Sequence, residues 1–177
     1  MNDGEIDRIW FQDEYLIRDY QAIVNTWIPK GQQKKIPTYG KRHGVKLIGT
    51  LDYETGDIFC IERKRYDAKE FLSFLEQVVN RYPDEKILMV LDNSRIHHTN
   101  LIKPFLKEHS NQLGLLFSPP YSPELNLIEG LWGWLKKSVI YNVFYKTVDE
   151  IREAVQSFIS KISKSPENIV RRLCTKF

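Results

Sequence analysis

The strongest constraint on this chain is Ile87-Leu-Met-Val-Leu91, five apolar residues in a row that end abruptly in Asp92-Asn-Ser-Arg-Ile-His-His98. An uninterrupted run of that length suits a strand covered on both faces, as in a mainly parallel sheet packed between helices. Such sheets bind their ligands just beyond the carboxyl ends of the strands. Asp92 stands at such an end, where it is either a cap for the next helix or part of a site.

Period and punctuation supply the other elements. Arg8–Phe11 reads as a strand running straight into Gln12-Asp13-Glu14. Lys46–Leu51 and Asp57–Arg63 read as two strands joined by the turn Tyr53-Glu-Thr-Gly56. Phe71, Leu72, Leu75, Val78 and Val79 give Ala68–Tyr82 helical spacing, stopped by Pro83. Thr99–His109 predicts a helix that Pro104 must kink or delay. Leu113–Phe117 is a further short strand, and Ser118-Pro-Pro-Tyr-Ser-Pro123 is too proline-rich for regular structure. Glu124–Ile140 carries Ile128, Leu131, Trp132, Leu135 and Val139 on one helical side. Thr147-Val-Asp-Glu150 matches a capping box, opening a last helix through about Ile162. Strands alternating with helices in this order predict an α/β fold, a mixed sheet flanked by helices.

Composition narrows the class. At 177 residues, 42% hydrophobic and 12% aromatic, the chain suits one packed domain, residues 1–177, and excludes disorder. No window has the apolar length of a membrane span, and MNDGEIDR is no signal peptide. Cys60 and Cys174 have no metal-type spacing, so a reducing cytoplasm is the expected location. Net charge is only +3, but from Tyr20 to Leu51 there is no acid at all, while Lys30, Lys34, Lys35, Lys41, Arg42, His43 and Lys46 all fall there. A one-signed segment is either a solvated basic loop or a contact for a polyanion. Arg171, Arg172 and Lys176 make a weaker C-terminal group.

Three carboxylates fall at comparable places. Asp13 follows the first strand, Asp92 follows the strand after the long helix, and Glu129 lies early in the helix after the last strand. If the strands before Asp13 and Asp92 are neighbours, the two acids lie side by side and Glu129 can reach over them. Like charges that close need a cation between them. Hard divalent ions prefer carboxylate oxygens and leave positions open for water and phosphate. Two such ions about 3.5–4 Å apart clamp the attacking and leaving oxygens of a phosphodiester displacement.

The surroundings of Glu129 sharpen this. Ser118-Pro-Pro-Tyr-Ser-Pro-Glu-Leu-Asn-Leu-Ile-Glu-Gly-Leu-Trp-Gly-Trp-Leu-Lys136 resembles the third-acid motif of DDE transposases, in the bacterial insertion-sequence branch of the mariner superfamily. Asp92-Asn93 with His97 is similar to that family's second motif, Phe11-Gln-Asp-Glu14 to its first-aspartate strand, and Trp27-Ile-Pro-Lys-Gly31 to an element that follows it. The 36 residues between Asp92 and Glu129 match the family's spacing. The resemblance implies a ribonuclease-H-like fold, with three antiparallel strands and then parallel ones. It implies a metal-dependent polynucleotidyl transferase with two Mg²⁺, for which Mn²⁺ can substitute. Asp13 would bridge both ions, Asp92 bind one and Glu129 the other. The partners it implies are double-stranded DNA, at element ends and at a target that commonly contains TA, and a second copy in a homodimer. Family members usually carry upstream helix-turn-helix modules, absent here, so the chain is expected to be the catalytic domain.

Beside these stand plainer readings. Glu14 points to the opposite face of its strand from Asp13 and reads as structural. Glu124 is a rival third acid that instead suits the helix start, and Asp52 and Asp57 suit a turn. His97 is a candidate for DNA contact or for supporting Asp92. Arg95, Lys136, Lys34, Lys35, Lys41 and Arg42 are candidates for phosphate, Lys136 lying two helical turns past Glu129. Gly130 and Gly133 suit close approach of DNA or helix packing, Trp132 the core, and Trp134 an interface. A ribonuclease H or a resolvase would share the acids but not the full third motif, and a non-catalytic DNA-binding relic would have no reason to keep three clustered charges at Asp13, Asp92 and Glu129.

Overall fold

Three antiparallel strands, β1 (Arg8–Arg18), β2 (Gly44–Asp52) and β3 (Ile58–Arg63), are followed by β4 (Ile87–Leu91) parallel to β1 and β5 (Leu113–Phe117) parallel to β4. The sheet order is β3-β2-β1-β4-β5. This computed structural model describes residues 6–18, 29–30, 44–119 and 125–174. The helices are α1 (Ala68–Arg81), α2 (Lys103–Glu108), α3 (Ile128–Leu135), α4 (Val148–Ile162) and α5 (Pro166–Ile169). No helix among the described residues is long and apolar enough to cross a membrane.

Each face of the sheet has its own core. Trp10, Ile48 and the odd residues of β4 (Ile87, Met89, Leu91) pack with Phe71, Phe74, Leu75, Val78 and Val79 of α1. Ile17, Val45, Leu47 and Leu51 pack on the other face with α3, α4 and α5. Leu88 and Val90 are only half-buried, so the apolar run is not equally covered on its two sides.

Local chemistry sets the element ends. The Asp67 carboxylate caps α1, accepting from the N–H groups of Lys69 and Glu70 at 3.0 Å each. Pro104 sits in the first turn of α2, where its missing N–H costs nothing, so the helix starts late instead of kinking. Thr147 Oγ1 accepts from the Glu150 N–H at 3.2 Å, and Glu150 answers the Lys146 N–H at 2.7 Å. In the β2–β3 turn, Gly56 takes φ +73°, where a side chain would be strained.

Two boundaries differ from the sequence reading. β1 does not end before Asp13 but runs on to Arg18. Only its β4 side stops at Phe11, while β2 stays paired out to Gly44. The polar Gln12-Asp-Glu14 therefore marks the loss of one neighbour, not the end of the strand. The helix carrying Glu129 begins at Ile128, not Glu124, and continues past Leu135 as a π-helical turn, Lys136–Ile140. Glu124 lies outside the described residues.

Candidate active site

The parallel β1–β4 ladder ends at Phe11–Val90. The same register two residues on sets Asp13 level with Asp92. Strand alternation puts Asp13 on the same face as Phe11, which packs against the α3/α4 core. Across the ladder, Asp13 faces Gly49 of β2. A Cβ at Gly49 would stand 2.7 Å from the Trp132 ring, so only glycine lets that indole lie over the sheet. There Trp132 stacks on Tyr15, 5.2 Å between ring centres, and its Nε1–H donates to Asp13 Oδ2 at 3.0 Å. Trp132 is 1% exposed, so it is core as expected and also the side-chain donor to the first acid.

Asn126 makes the second tie. Its Nδ2 donates to the Gln12 carbonyl at 2.9 Å, and its own carbonyl accepts the Glu129 N–H at 3.1 Å. Asn126 and Trp132 lie three residues either side of Glu129. The turn of α3 that carries this acid is thus fastened to β1 at both ends, beside Asp13.

The electrostatics are those of a site short of positive charge. Burial, the nearby Glu129 charge and that of Glu14 push the Asp13 carboxyl up to about 7, against the opposing pull of the Glu14 backbone N–H and Trp132. Partial desolvation raises Glu129 as well. Hard carboxylate oxygens that repel one another fit a divalent cation in kind. Among the described residues no three His, Cys, Asp or Glu side chains converge on one ion.

Asp92 is 57% exposed at its side chain and caps no helix; its Oδ1 accepts the Ser94 N–H at 3.0 Å, as in an Asx turn. His97 stands behind it. His97 Nδ1 is 3.1 Å from Asp92 Oδ1, Nε2 is 3.2 Å from Glu14 Oε1, and the ring lies on Phe71. Burial works against its charged form, but Glu14 and Asp92 outweigh burial and raise its pKa. At 2% exposure His97 has no surface to offer a phosphate, so the DNA-contact reading gives way to the supporting one. Glu14 is structural as expected, and its task is to hold this histidine.

Arg95 is exposed in the 3-10 turn Arg95–His98, directly after Asp92. Lys136 is half-buried where α3 turns π-helical, its Nζ 5.8 Å from the Tyr141 ring centre. Lys34, Lys35, Lys41 and Arg42 lie outside the described residues. A Cβ at Gly130 would come within 3.0 Å of Leu173, which supports helix packing there, while Gly133 has open space around it. Trp134 packs edge-on against Phe158 beneath Arg172. Burial pushes the Cys60 thiol up to about 12, so it is no nucleophile at neutral pH.

Comparison with known proteins agrees with this fold. The family model described as DDE superfamily endonuclease matches residues 8–152. The insertion element IS630 uncharacterized 39 kDa protein of Shigella sonnei is 28% identical over 159 residues, covering 89% of this chain and 46% of the relative. The chain therefore spans under half the length of that protein. The Mos1 strand transfer complex superposes with TM-score 0.63 at 16% identity, over 97% of this chain and 56% of that one. The Mos1 mariner paired end complex with Mn gives TM-score 0.61 at 16% identity, over 96% and 56%. At such identities these two matches establish the fold, which is ribonuclease-H-like. The chain belongs to the DDE superfamily endonuclease family.

Proposed function

We propose that this chain is the catalytic domain of an insertion-sequence transposase, which cuts DNA at the element's ends and joins the freed 3′ end to target DNA. The observation that carries this reading is the fastening of Glu129 to β1 through Asn126 and Trp132, beside an Asp13 that the strand register sets level with Asp92. Asp13 would be shared by two Mg²⁺ ions, with Asp92 completing one site and Glu129 the other; Mn²⁺ can substitute. When bound, the ions supply activation of the attacking hydroxyl and neutralise charge on the phosphate.

The chain's own residues prepare and hold that arrangement. Asp13 keeps its proton up to about pH 7 in the presence of Glu129, and so gives it up when positive charge arrives. His97, braced by Glu14, fixes the orientation of Asp92. Arg95 and Lys136, flanking the acids, draw the DNA backbone towards them. No side chain is required as a nucleophile. The Mos1 structures, by description a strand transfer complex and a paired end complex, support a DNA substrate and two copies acting together. A bacterial relative supports action on DNA in the bacterial cytoplasm, and the family resemblance supports a target containing TA.

The test is cleavage and joining of a labelled duplex carrying the element's end, with Mg²⁺ or Mn²⁺, for wild type beside Asp92→Asn. Cleavage and joined product that vanish in the variant are expected. Cleavage without any joined product would reduce the reading to a nuclease, and equal activity in both proteins would remove Asp92 from the chemistry.

A further inference from the structure

An open groove of about 750 Å³ wraps the end of the β1-β2-β3 meander and is bordered by Arg18, Lys46, Arg63, Lys64, Arg152 and Glu62. It lies away from the three acids, and neither Arg95 nor Lys136 is among its described lining residues. Five cations face one carboxylate, and the pairing among them fixes the sign. Both Glu62 oxygens are taken by Arg152, at 2.7 and 3.0 Å. Arg63 Nε is 3.0 Å from Glu70. Lys46 and Lys64 have no carboxylate partner among the described residues. Lys46 Nζ instead donates to the Lys64 carbonyl at 3.1 Å and lies 5.6 Å from the Tyr66 ring centre, which keeps two ammonium donors available at the groove.

We infer that this groove is a second docking site for the DNA backbone, gripping the duplex several nucleotides from the phosphate that reacts. The inference rests on the DNA substrate of the reading above. Three further observations favour DNA over an acidic protein partner. β1 carries Asp13 and, on its opposite face three to five residues on, the groove residues Leu16 and Arg18. At about 3.3 Å per strand residue that is about 10–17 Å, or three to five nucleotides at about 3.4 Å each. Lys46 also belongs to the acid-free stretch of sequence, Tyr20–Leu51. The groove is open, with its unanswered charge on two ammonium groups, which act as point charges and suit a repeating phosphate chain better than a fixed pattern of carboxylates.

The experiment measures binding of a fluorescent duplex by anisotropy in EDTA, between 50 and 200 mM salt. It compares wild type with the double variant Lys46→Ala/Lys64→Ala, with Lys107→Ala on α2 as a control. The double variant is expected to bind at least tenfold more weakly at low salt. The slope of log affinity against log salt should fall by about 2, one for each lost phosphate contact. Lys107→Ala should bind as wild type does. Because no metal or turnover is involved, the result stands whether or not the cleavage reading survives. Unchanged affinity and slope in the double variant, or no salt-dependent binding by wild type, would overturn the inference. So would intact DNA binding with altered self-association in sedimentation, which would make the groove a protein contact.

Discussion

Two aspartates of the same β1–β2 ladder illustrate opposite ways of burying a carboxylate. Asp52, paired with Trp10, is 1% exposed and fully answered. Arg8 and the Trp10 indole donate to one oxygen at 2.8 and 3.1 Å, and the N–H groups of Glu54 and Thr55 to the other at 2.8 and 2.9 Å. Asp13, paired with Gly49, has one side-chain donor among the described residues, Trp132, and faces Glu129 and Glu14. The first closes a hairpin and ties it to β1. Burial, together with the Glu129 and Glu14 charges and no cation to offset them, raises the second to about 7. Burial alone therefore does not mark a functional acid; an unanswered charge does.

The sharpest contrast separates stability from chemistry. Asp92→Asn should lower strand cleavage by about a thousandfold, the several kcal/mol that charge stabilisation at a metal site supplies, and leave the melting temperature within about a degree. Asp52→Ala should do the reverse, destabilising the fold by about 3–5 kcal/mol in denaturant titration because it strips a buried ion pair and orphans turn N–H groups. If Asp92→Asn melts as low as Asp52→Ala, the two aspartates do not differ in kind.

Trp132→Phe comes next. It keeps the stacking on Tyr15 but removes the donor to Asp13, at a cost of about 1.5–3 kcal/mol in denaturant titration at alkaline pH. Loss of that bond raises Asp13 further, so the acidic limb of the pH–activity profile should move to higher pH. An unmoved limb would detach Trp132 from the site.

A smaller effect has the opposite sign. The folded Asp13 titrates at about 7, above the unfolded value of about 3.9. Between these values the folded state holds more protons, so without metal, stability falls as pH rises from about 4 to about 7. Asp13→Asn should erase that fall. At pH 8 it should raise stability by about 1–2 kcal/mol, or about 2–8 °C in melting temperature. A lower melting temperature in Asp13→Asn would mean that the carboxylate is a structural group after all.

Much of this was legible in the sequence where the signal is local. The apolar run Ile87–Leu91, the spacing of α1, the capping box at Thr147 and the turn at Gly56 each write their structure into a few neighbouring residues. The third-acid motif did the same for family and fold. The extent of β1 was hidden because its acids interrupt the apolar alternation in mid-strand. The ties that hold the site span the chain: Trp132 to Asp13 crosses 119 positions, Asn126 to Gln12 crosses 114 and His97 to Glu14 crosses 83. No local pattern encodes such pairs. Gly49 reads as an ordinary strand glycine until Trp132 is seen lying across it.

The most direct test of the central claim is a Mg²⁺ titration of thermal stability at pH 8, with wild type, Asp13→Asn and Lys107→Ala in parallel and no DNA present. Wild type and Lys107→Ala should gain melting temperature with Mg²⁺ in a saturable way, while Asp13→Asn, already relieved of its charge, should not respond. An equal response in all three, or none in wild type, would contradict the account of Asp13 as a carboxylate kept for a metal.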